Sequence, residues 1–394
     1  MKISLVCPAS LPATQFGGIM FLCIHIANRL AGNNNQVTIY TTDLDFANNA
    51  NAFNKNLPRE ETINGFRIKR THVWFSLFLF YVNPGMYFQM LKDDHDIIHT
   101  VGVRSFQSLI ATLISKKKKI PLIVSDQGGL TTHPDLQKSG LLKKILIKLQ
   151  DPMIKFVINQ CSKVIVANEY EKKIFLNFCE PSKIEIVRNG IDLDELSSER
   201  IDFRAKHGIS GEFILFVGRF SKVKGIDVLL KAINKIKNEP EIKNTKTVIM
   251  GVDFGFEKEM FEMINELNLN DIVIVIKNPN RKEVISAYSQ AEFLVLPSRW
   301  ELSPLTPLEG FAFKKPVIST NTHGIPFTIQ HGENSILIEP EDYQDIAKAI
   351  IELIRDKKKC AEYGLSGYKL VSEICNSHKM ADNTFAVYER IINR

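Results

Sequence analysis

The sequence predicts an α/β protein with two domains, each built around a parallel β-sheet. Its 394 residues exceed what one hydrophobic core usually serves and suit two domains of roughly 190 residues each. The composition, 44% hydrophobic and 24% charged, is typical of a globular chain. In the second half, short apolar runs alternate regularly with helical patterns, which is the rhythm of βαβ units.

The first half begins with a strand, a glycine pair at Gly17 and Gly18, and a helical pattern. Glycine at a strand-to-helix turn lets the backbone approach a ligand closely, and the helix N-terminus favours an anion. Gly17 and Gly18 are therefore candidate binding residues, although a tight turn explains them equally well. The predicted elements are strand 2–6, helix 19–30 and strands 36–42, 96–101, 121–126 and 163–168.

The second half begins after residues 187–196, and its pattern predicts a doubly wound sheet. We expect one domain over residues 1–195 and a second over 196–379, facing each other across a cleft. The C-terminal helical pattern, within residues 380–394, is expected to join the first domain. The predicted elements are strand 213–217, helix 226–237, strand 247–250, helix 257–267, strand 271–276, helix 282–290 and strands 293–296 and 317–319.

Composition excludes several classes of protein. The six cysteines are scattered without a C-x-x-C pair, which predicts reduced thiols rather than a zinc site or a disulfide framework. The N-terminal apolar run is too short for a signal peptide, and no segment offers the uninterrupted apolar length of a membrane span. A cytoplasmic protein is therefore expected. A net charge of +6 without a known motif does not predict nucleic-acid binding.

Two carboxylates, Glu301 and Glu309, lie between two strand-like runs. Parallel sheets bind ligands beyond the carboxyl ends of their strands, where the next helix directs N–H groups at an anion. One carboxylate in the loop and one on the helix could hold two hydroxyl-bearing parts of a ligand around a central charge, which is the layout of a nucleotide-sugar. Two starts of this helix stay open, with Ser303 or Thr306 as the N-cap residue before a proline.

A second group of charges lies near the start of the same half. Arg219 follows a strand, and Lys224 precedes a helix. Arginine offers a planar fork to phosphate oxygens, and lysine a compact point charge. Each such contact contributes about 1.5–3 kcal/mol, so the pair could neutralise most of a diphosphate. Two surface cations flanking a turn are the alternative.

The segments VGRFSKVKGIDVLLKAI, VRNGID, PSRWELSPLTPLEGFAFKKPVIST and HGENSILIEPED resemble glycosyltransferase family 4, retaining enzymes of the GT-B fold with two Rossmann-like domains. The resemblance covers nearly the whole chain and is most specific over residues 219–340. It implies that Glu301 lies against the transferred sugar and that Glu309 holds the ribose hydroxyls. It also implies that backbone amides around Leu305 and Thr306 cover the donor sugar and phosphates.

The resemblance further implies a nucleotide-sugar donor and a mechanism without metal or cofactor. Arg219 and Lys224 would bind the diphosphate and stabilise the charge that grows as the glycosidic bond breaks. The acceptor hydroxyl would attack from the same face, with a leaving-group oxygen as its base, while Glu301 positions the sugar. The DDHD run at residues 93–96 precedes a strand, so we expect a solvated turn there rather than a D-x-D metal site.

The first half departs from the family pattern. His99 stands where relatives carry the first of two histidines, but Val101 fills the second place, and Gln127 stands where His-Gly is common. His99 is a candidate for contact with the acceptor or the sugar, and a hydrogen-bonded core histidine explains it as well. Lys314 and His323 replace common glycines. These departures leave the acceptor side open.

An aromatic-rich run over residues 74–90 and a basic amphipathic helix over 141–150 could form a surface for a lipid-linked acceptor at an anionic membrane. Ordinary core packing explains both segments as well. We favour a glycan or lipid-linked acceptor at the inner face of the cell membrane, as in the assembly of surface polysaccharide or glycoprotein glycan. Two alternatives stay open: a non-catalytic nucleotide-binding subunit of the same fold, and a nucleotide-sugar epimerase.

Overall fold

The structure, a computed structural model, describes residues 1–13, 17–45, 52–77, 80–128, 130, 134, 148–197 and 199–393. Most of the predicted basic helix, residues 141–147, lies outside the described residues, as do residues 78 and 79 of the aromatic run. The chain forms two compact units. Unit 1 comprises Met1–Gly190 and Ser377–Arg394, and unit 2 comprises Ile191–Asn376.

The elements below are numbered along the chain. The described strands are β1 Lys2–Val6, β2 Gln36–Thr42, β3 Glu60–Ile63, β4 Phe66–Thr71, β5 Phe75–Leu77, β6 Phe80–Val82, β7 Ile97–Val101, β8 Leu122–Ser125, β9 Lys163–Val166, β10 Ile184–Ile186, β11 Glu212–Val217, β12 Thr245–Gly251, β13 Val273–Lys277, β14 Leu294–Leu296, β15 Val317–Thr320 and β16 Ser335–Ile338. The described helices are α1 Gly18–Gly32, α2 Gly85–Lys92, α3 Phe106–Lys118, α4 Asp151–Gln160, α5 Glu169–Phe175, α6 Leu193–Leu196, α7 Phe203–His207, α8 Ile226–Ile236, α9 Glu257–Glu266, α10 Arg281–Gln290, α11 Thr306–Ala312, α12 Tyr343–Arg355, α13 Lys357–Glu373 and α14 Ser377–Ile392.

Unit 1 contains a sheet of order β10-β9-β8-β7-β1-β2-β4-β3. Its neighbouring strands are parallel except for the antiparallel edge pair of β3 and β4. The predicted parallel strands are confirmed, because buried apolar runs mark them in the sequence. The antiparallel edge pair of β3 and β4 was not predicted from the sequence. Lys69 and Arg70 interrupt its apolar pattern, yet both side chains are buried, and Arg70 donates to the carbonyls of Pro58 and Leu11.

Helix α14 belongs to unit 1, where it packs on α1. Arg29 donates two hydrogen bonds to the carboxylate of Asp382, at 2.9 and 3.0 Å. The buried face of α14 includes Met380 and Tyr388. The last helix therefore covers an apolar face of the first one.

Unit 2 contains a fully parallel sheet of order β13-β12-β11-β14-β15-β16. The strand order reverses direction between β11 and β14, as in a doubly wound fold. The flanking helices bury apolar stripes at helical spacing, such as Ile226, Leu229, Leu230 and Ile233 of α8. The predicted alternation of strands and helices is confirmed, with ends that agree to within two residues.

Three smaller observations complete the fold. The DDHD run is only partly the solvated turn that we expected: Asp94 is exposed, but His95 is buried, and Asp93 accepts hydrogen bonds from Tyr40 and Lys69. All six cysteines are free thiols. Among the helices of the described residues, none has both the length and the apolar character needed to cross a membrane.

Candidate active site

The predicted donor-binding residues of unit 2 gather where its strand order reverses. Strands β11 and β14 are neighbours in the sheet although two strands separate them in the chain. Arg219 and Lys224 follow β11, whereas Glu301 follows β14. Open parallel sheets form a ligand crevice at such a point, beyond the carboxyl ends of the strands.

Lys224 and Glu301 are in direct contact. The ammonium of Lys224 donates to Oε1 of Glu301. The hydroxyl of Ser298 donates to the same oxygen at 3.1 Å. The side chains of Lys224 and Glu301 are 25% and 16% exposed. The ion pair is therefore largely shielded from solvent but still accessible to a ligand. The structure thus joins two residues that the sequence placed 77 positions apart.

The segments that carry Lys224 and Glu301 are locked to each other. Gly225 has φ +69°, and a Cβ there would overlap the carbonyl oxygen of Pro297. Arg299 holds Asp227 through two bonds of 2.7 and 2.8 Å, and its backbone N–H donates to Val223 at 2.7 Å. Burial alone would raise the pKa of Asp227, but the Arg299 guanidinium and a nearby lysine hold that pKa below its ordinary value.

The loop of Glu301 is also tied to the turn after β15. The N–H of Gly324 donates to the carbonyl of Glu301 at 2.9 Å, and a Cβ at Gly324 would overlap the carbonyl of Leu302. His323 and Lys314 have φ values of +50° and +56°. Glycine adopts this left-handed conformation without steric cost, so the backbone at both positions is one that would suit the glycines of the family pattern.

Glu309 lies in the first turn of α11 and is held by two side chains of α10. Arg281 contacts its Oε1 at 2.8 Å, and the hydroxyl of Tyr288 donates to its Oε2 at 2.8 Å. Arg281 also holds Glu195 at 3.0 and 2.8 Å. Burial alone would lower the pKa of Arg281, but Glu309 and Glu195 raise it above its ordinary value. Burial, and then Glu309, raise the pKa of Tyr288.

Arg281 and Tyr288 were not among the site residues predicted from the sequence. They are seven positions apart, which is two helical turns, so they share a face of α10. That spacing was visible in the sequence. Which helix the shared face would meet was not, because it depends on how α10 packs beside α11.

Neither predicted start of α11 is correct. Thr306 is the first helical residue and Pro307 the second, and Leu305 occupies the cap position without a side-chain hydrogen bond. The N–H groups of a first helical turn have no partner within the helix. Those around Leu305 and Thr306 therefore lie between the two glutamates in the chain, where the family resemblance implies donor-covering amides.

Arg219 stacks on an aromatic ring. Its guanidinium carbon lies 4.4 Å from the centre of the Phe254 ring, in the loop after β12. Stacking engages the face of the guanidinium, whereas its hydrogen bonds are donated in the plane. Within the described residues, no group of three or more His, Cys, Asp or Glu side chains is arranged to hold a metal ion.

Gly17, Gly18 and His99 belong to unit 1. Gly17 caps α1 with φ +97° and ψ −155°, a conformation that favours glycine. Gly18 is the first helical residue. The pair therefore lies at the N-terminus of α1, between the first strand and the first helix as the sequence predicted.

His99 is a core residue. It is 1% exposed, its Nδ1 lies 2.6 Å from the hydroxyl of Tyr388, and its Nε2 lies 2.8 Å from the hydroxyl of Ser125. Burial lowers the pKa of His99 to about 3. Since both ring nitrogens are engaged inside unit 1, these contacts favour the structural interpretation of His99, and we leave it out of the catalytic set. Val101 is fully buried as well.

Unit 1 contains a buried polar cluster that the sequence did not reveal. Gln127 has φ +56°, and its side-chain amide pairs in both directions with that of Asn189, at 3.0 and 2.8 Å. The carboxylate of Glu171 accepts from the N–H groups of Gln127 and Ala167, at 3.2 and 2.6 Å. Burial, and then the charge of Asp126, raise the pKa of Glu171 to about 8.

Comparison with known proteins identifies the family. Residues 16–195 match the model described as Glycosyltransferase Family 4, and residues 199–370 match that described as Glycosyl transferases group 1. An uncharacterised glycosyltransferase of Methanocaldococcus jannaschii is 26% identical over 377 residues, which cover 90% of each chain. Other relatives match over a shorter region. The D-inositol 3-phosphate glycosyltransferase of Mycobacterium sp. strain KMS is 26% identical over a region that covers 50% of this chain and 46% of that protein.

Solved structures share the fold. Sucrose-phosphate synthase of Thermosynechococcus elongatus superposes with a TM-score of 0.77 at 19% identity, covering 100% of this chain and 99% of that one. HepE of Anabaena, in complex with UDP and glucose, superposes with a TM-score of 0.76 at 17% identity, covering 99% and 100%. Each match covers residues of both units. The family matches and the shared fold, together with the residues gathered at the sheet edge, lead to one conclusion. The chain belongs to glycosyltransferase family 4 and has the GT-B fold.

Proposed function

We propose that this glycosyltransferase is a retaining enzyme that transfers a sugar from a nucleoside diphosphate sugar to a hydroxyl acceptor. One observation carries the proposal: Glu301, paired with Lys224, precedes α11 at the strand-order reversal, and Glu309, held by Arg281 and Tyr288, lies in its first turn. A ligand with a sugar, a diphosphate and a ribose in that order fits this arrangement.

The paired charges keep the capacity to bind such a donor. A carboxylate has about four lone-pair sites, so Glu309 can accept ribose hydroxyls while it accepts from Arg281 and Tyr288. An ammonium has three N–H donors, so Lys224 can hold Glu301 and also donate to a phosphate oxygen. Arg219 would supply the planar fork to the diphosphate.

The proposed chemical step involves only the donor and the acceptor as reactants. The bond between the sugar C1 and the diphosphate oxygen breaks, and a bond from C1 to the acceptor oxygen forms on the same face. The acceptor proton moves to a departing phosphate oxygen. Arg219, Lys224 and the backbone amides near Leu305 and Thr306 stabilise the charge that grows on the leaving group. Glu301 orients the sugar, and we propose that no metal ion takes part.

The donor and acceptor are proposed by chemical class. HepE of Anabaena, which shares the fold, is in complex with UDP and glucose, so uridine is the first base to test. For the acceptor we propose a glycan or a lipid-linked glycan presented at the inner face of the cell membrane. Exposed aromatic side chains in unit 1 support a membrane-bound acceptor.

A non-catalytic nucleotide-binding subunit is the second candidate. Val101 is buried where relatives carry a histidine, and the amide of Gln127 is already paired with Asn189. The intact ion pairs around Glu301 and Glu309 argue for turnover.

A binding screen followed by a transfer assay tests the proposal. Calorimetry would compare UDP, GDP and ADP with and without a chelator, in the parent and in Glu309→Ala. We expect one nucleotide to bind regardless of chelator and to bind more weakly to the variant. Transfer to a membrane or glycan extract, with the anomeric configuration read by NMR, should show retention. Binding without any transfer would favour the second candidate, and no binding at all would overturn the site.

A further inference from the structure

Unit 1 exposes large apolar side chains over a short stretch of sequence. Trp74, Phe75, Leu77 and Phe88 are 71%, 61%, 48% and 63% exposed. Single exposed apolar residues are common, but several together mark an interaction surface. The aromatic run that the sequence singled out is therefore divided: Tyr81 and its buried neighbours pack inside, while these four side chains face solvent.

Helix α3 connects the exposed side chains into one region. The hairpin of β5 and β6 meets its start, where the rings of Phe80 and Phe106 lie 6.1 Å apart. Helix α2 meets its end, where the Lys117 ammonium lies 5.7 Å from the centre of the Tyr87 ring, which in turn contacts Phe88 at 5.6 Å. Both elements pack on α3.

The outward stripe of α3 continues the region. Positions 106, 109, 113, 116 and 117 recur at helical spacing and are half-buried or exposed. Leu113 lies in the middle of the stripe and is 38% exposed. Apolar surface thus leads from the hairpin towards the lysines at the end of α3.

Those lysines differ in their surroundings from the other lysine run of the chain. Lys116, Lys117 and Lys119 are exposed, and none of them forms an ion pair within the part of the chain that the structure describes. The lysine run of α13 differs. Lys357 contacts two glutamates at 2.7 and 3.1 Å, and Lys358 contacts Glu362 at 3.8 Å.

We propose that this region docks on the surface of an anionic lipid bilayer. We call it the aromatic–lysine face and define it by Trp74, Phe75, Leu77, Phe88, Leu113, Lys116, Lys117 and Lys119. Aromatic and aliphatic side chains enter the headgroup layer, and lysines are attracted to anionic lipids. A second copy of the chain fits less well, because a two-fold contact would bring the same lysines together. The inference deepens the proposed function, since it specifies where a lipid-linked acceptor would be met.

Vesicle co-sedimentation tests the docking without donor or acceptor. The full chain should bind vesicles of equimolar phosphatidylcholine and phosphatidylglycerol and should not bind phosphatidylcholine alone. Trp74→Ser with Phe75→Ser and Phe88→Ser should weaken binding about tenfold or more, as should Lys116→Gln with Lys117→Gln and Lys119→Gln. High salt should weaken binding by the parent.

Two control variants match these changes in unit 2. Lys357→Gln with Lys358→Gln and Lys359→Gln removes the same charge, and Leu365→Ser with Ile374→Ser removes apolar side chains that are 57% and 50% exposed. Both should bind vesicles as the parent does. An equal loss in the controls would overturn the proposal, because net charge or general stickiness would then explain the binding.

Tryptophan fluorescence locates the contact. The chain has two tryptophans, and Trp300 is only 7% exposed. Anionic vesicles should shift the emission to the blue through Trp74, and Trp74→Phe should abolish the shift. An unchanged shift in that variant would overturn the membrane assignment. So would a dimer, measured by light scattering, that the parent forms and the variant with serine at positions 74, 75 and 88 does not. Calorimetry with UDP, run in parallel, separates this failure from a failure of the donor site.

Discussion

At the scale of single residues, the site is built from charged side chains that hold one another. Lys224 pairs with Glu301, and Arg281 with Glu309. Shielded charges are tolerated when they are paired, and removing one partner leaves the other uncompensated. The pairs therefore fix the orientation of both carboxylates, and substitutions should reveal which of these residues serve the leaving group.

Replacing Arg219 or Lys224 with alanine should lower turnover more than donor affinity. Each residue would contribute about 1.5–3 kcal/mol to stabilising the departing diphosphate, which corresponds to a loss of roughly ten- to a hundredfold in kcat. Lys222→Ala is the matched control, because Lys222 pairs with Glu259 and, at 3.7 Å, with Asp227 rather than with Glu301. Turnover equal to that of the parent in the Arg219 or Lys224 variant would remove the leaving-group role.

Tyr288→Phe and Arg281→Gln should weaken nucleotide binding through Glu309. Losing one hydrogen bond to Glu309 should reduce affinity by roughly two- to tenfold, and Ser289→Ala on the same helix should have no effect. Calorimetry with UDP and with 2′,3′-dideoxy-UDP would separate the contributions. A loss of the same size for both nucleotides would place the effect somewhere other than the ribose.

The buried carboxyl group of Glu171 predicts a pH-dependent stability of unit 1. Its pKa is about 8 in the folded protein against an ordinary 4.5, so between these values the folded state holds a proton that the unfolded state has lost. Stability should therefore fall as pH rises through this window, by up to about 1.4 kcal/mol per pH unit. Asp126, whose pKa burial also raises, acts in the same direction.

Thermal unfolding from pH 5 to pH 8 would measure this fall. Glu171→Gln should flatten the profile, whereas Glu169→Gln at an exposed position of the same helix should not. A slope that survives in Glu171→Gln would assign the titration to another group.

At the scale of elements, the sequence revealed the strands whose neighbours are all parallel, except the edge strands β10 and β16, and the loops that follow them. Apolar runs mark such strands, and ligand-binding residues collect at their carboxyl ends, so Lys224 and Glu301 were predictable. The β3–β4 pair was not, because Arg70 is buried through tertiary contacts that no local pattern encodes. Tyr288 was missed for a similar reason, since its role depends on the packing of two helices.

Gly225→Ala should disrupt the turn that carries Lys224. An added Cβ would both require an unfavourable positive φ and overlap the carbonyl of Pro297. Gly208 provides a matched control, with φ +62° and open space around it. Gly208→Ala should cost only about 1–2 kcal/mol of stability. Gly225→Ala should cost distinctly more and should also weaken nucleotide binding. Equal costs in denaturant unfolding would show that the turn accommodates the side chain.

At the scale of the whole molecule, the chain leaves unit 1 at Gly190 and returns to it at Ser377. The return brings Tyr388 to His99 and Asp382 to Arg29. Unit 1 is thus stabilised by residues from both ends of the described chain, whereas unit 2 is continuous.

Tyr388→Ala should destabilise unit 1 selectively. It removes a fully buried ring, at a cost of about 3–5 kcal/mol, and leaves a buried nitrogen of His99 without that partner. Tyr388→Phe, which loses only the hydroxyl, should cost about 1–3 kcal/mol. Calorimetry should show one unfolding transition shifted down, with nucleotide binding by unit 2 retained. A loss of nucleotide affinity in proportion to stability would contradict this independence.

The return of the chain also sets an order of events during translation. Residues 191–376 emerge from the ribosome before α14 does, and at about 5–20 residues per second they take roughly 10–40 s to synthesise. Throughout that delay the nascent α1 lacks its partner helix, so its apolar face is a candidate for chaperone binding. The usual order, in which the N-terminal domain is completed first, is thereby reversed.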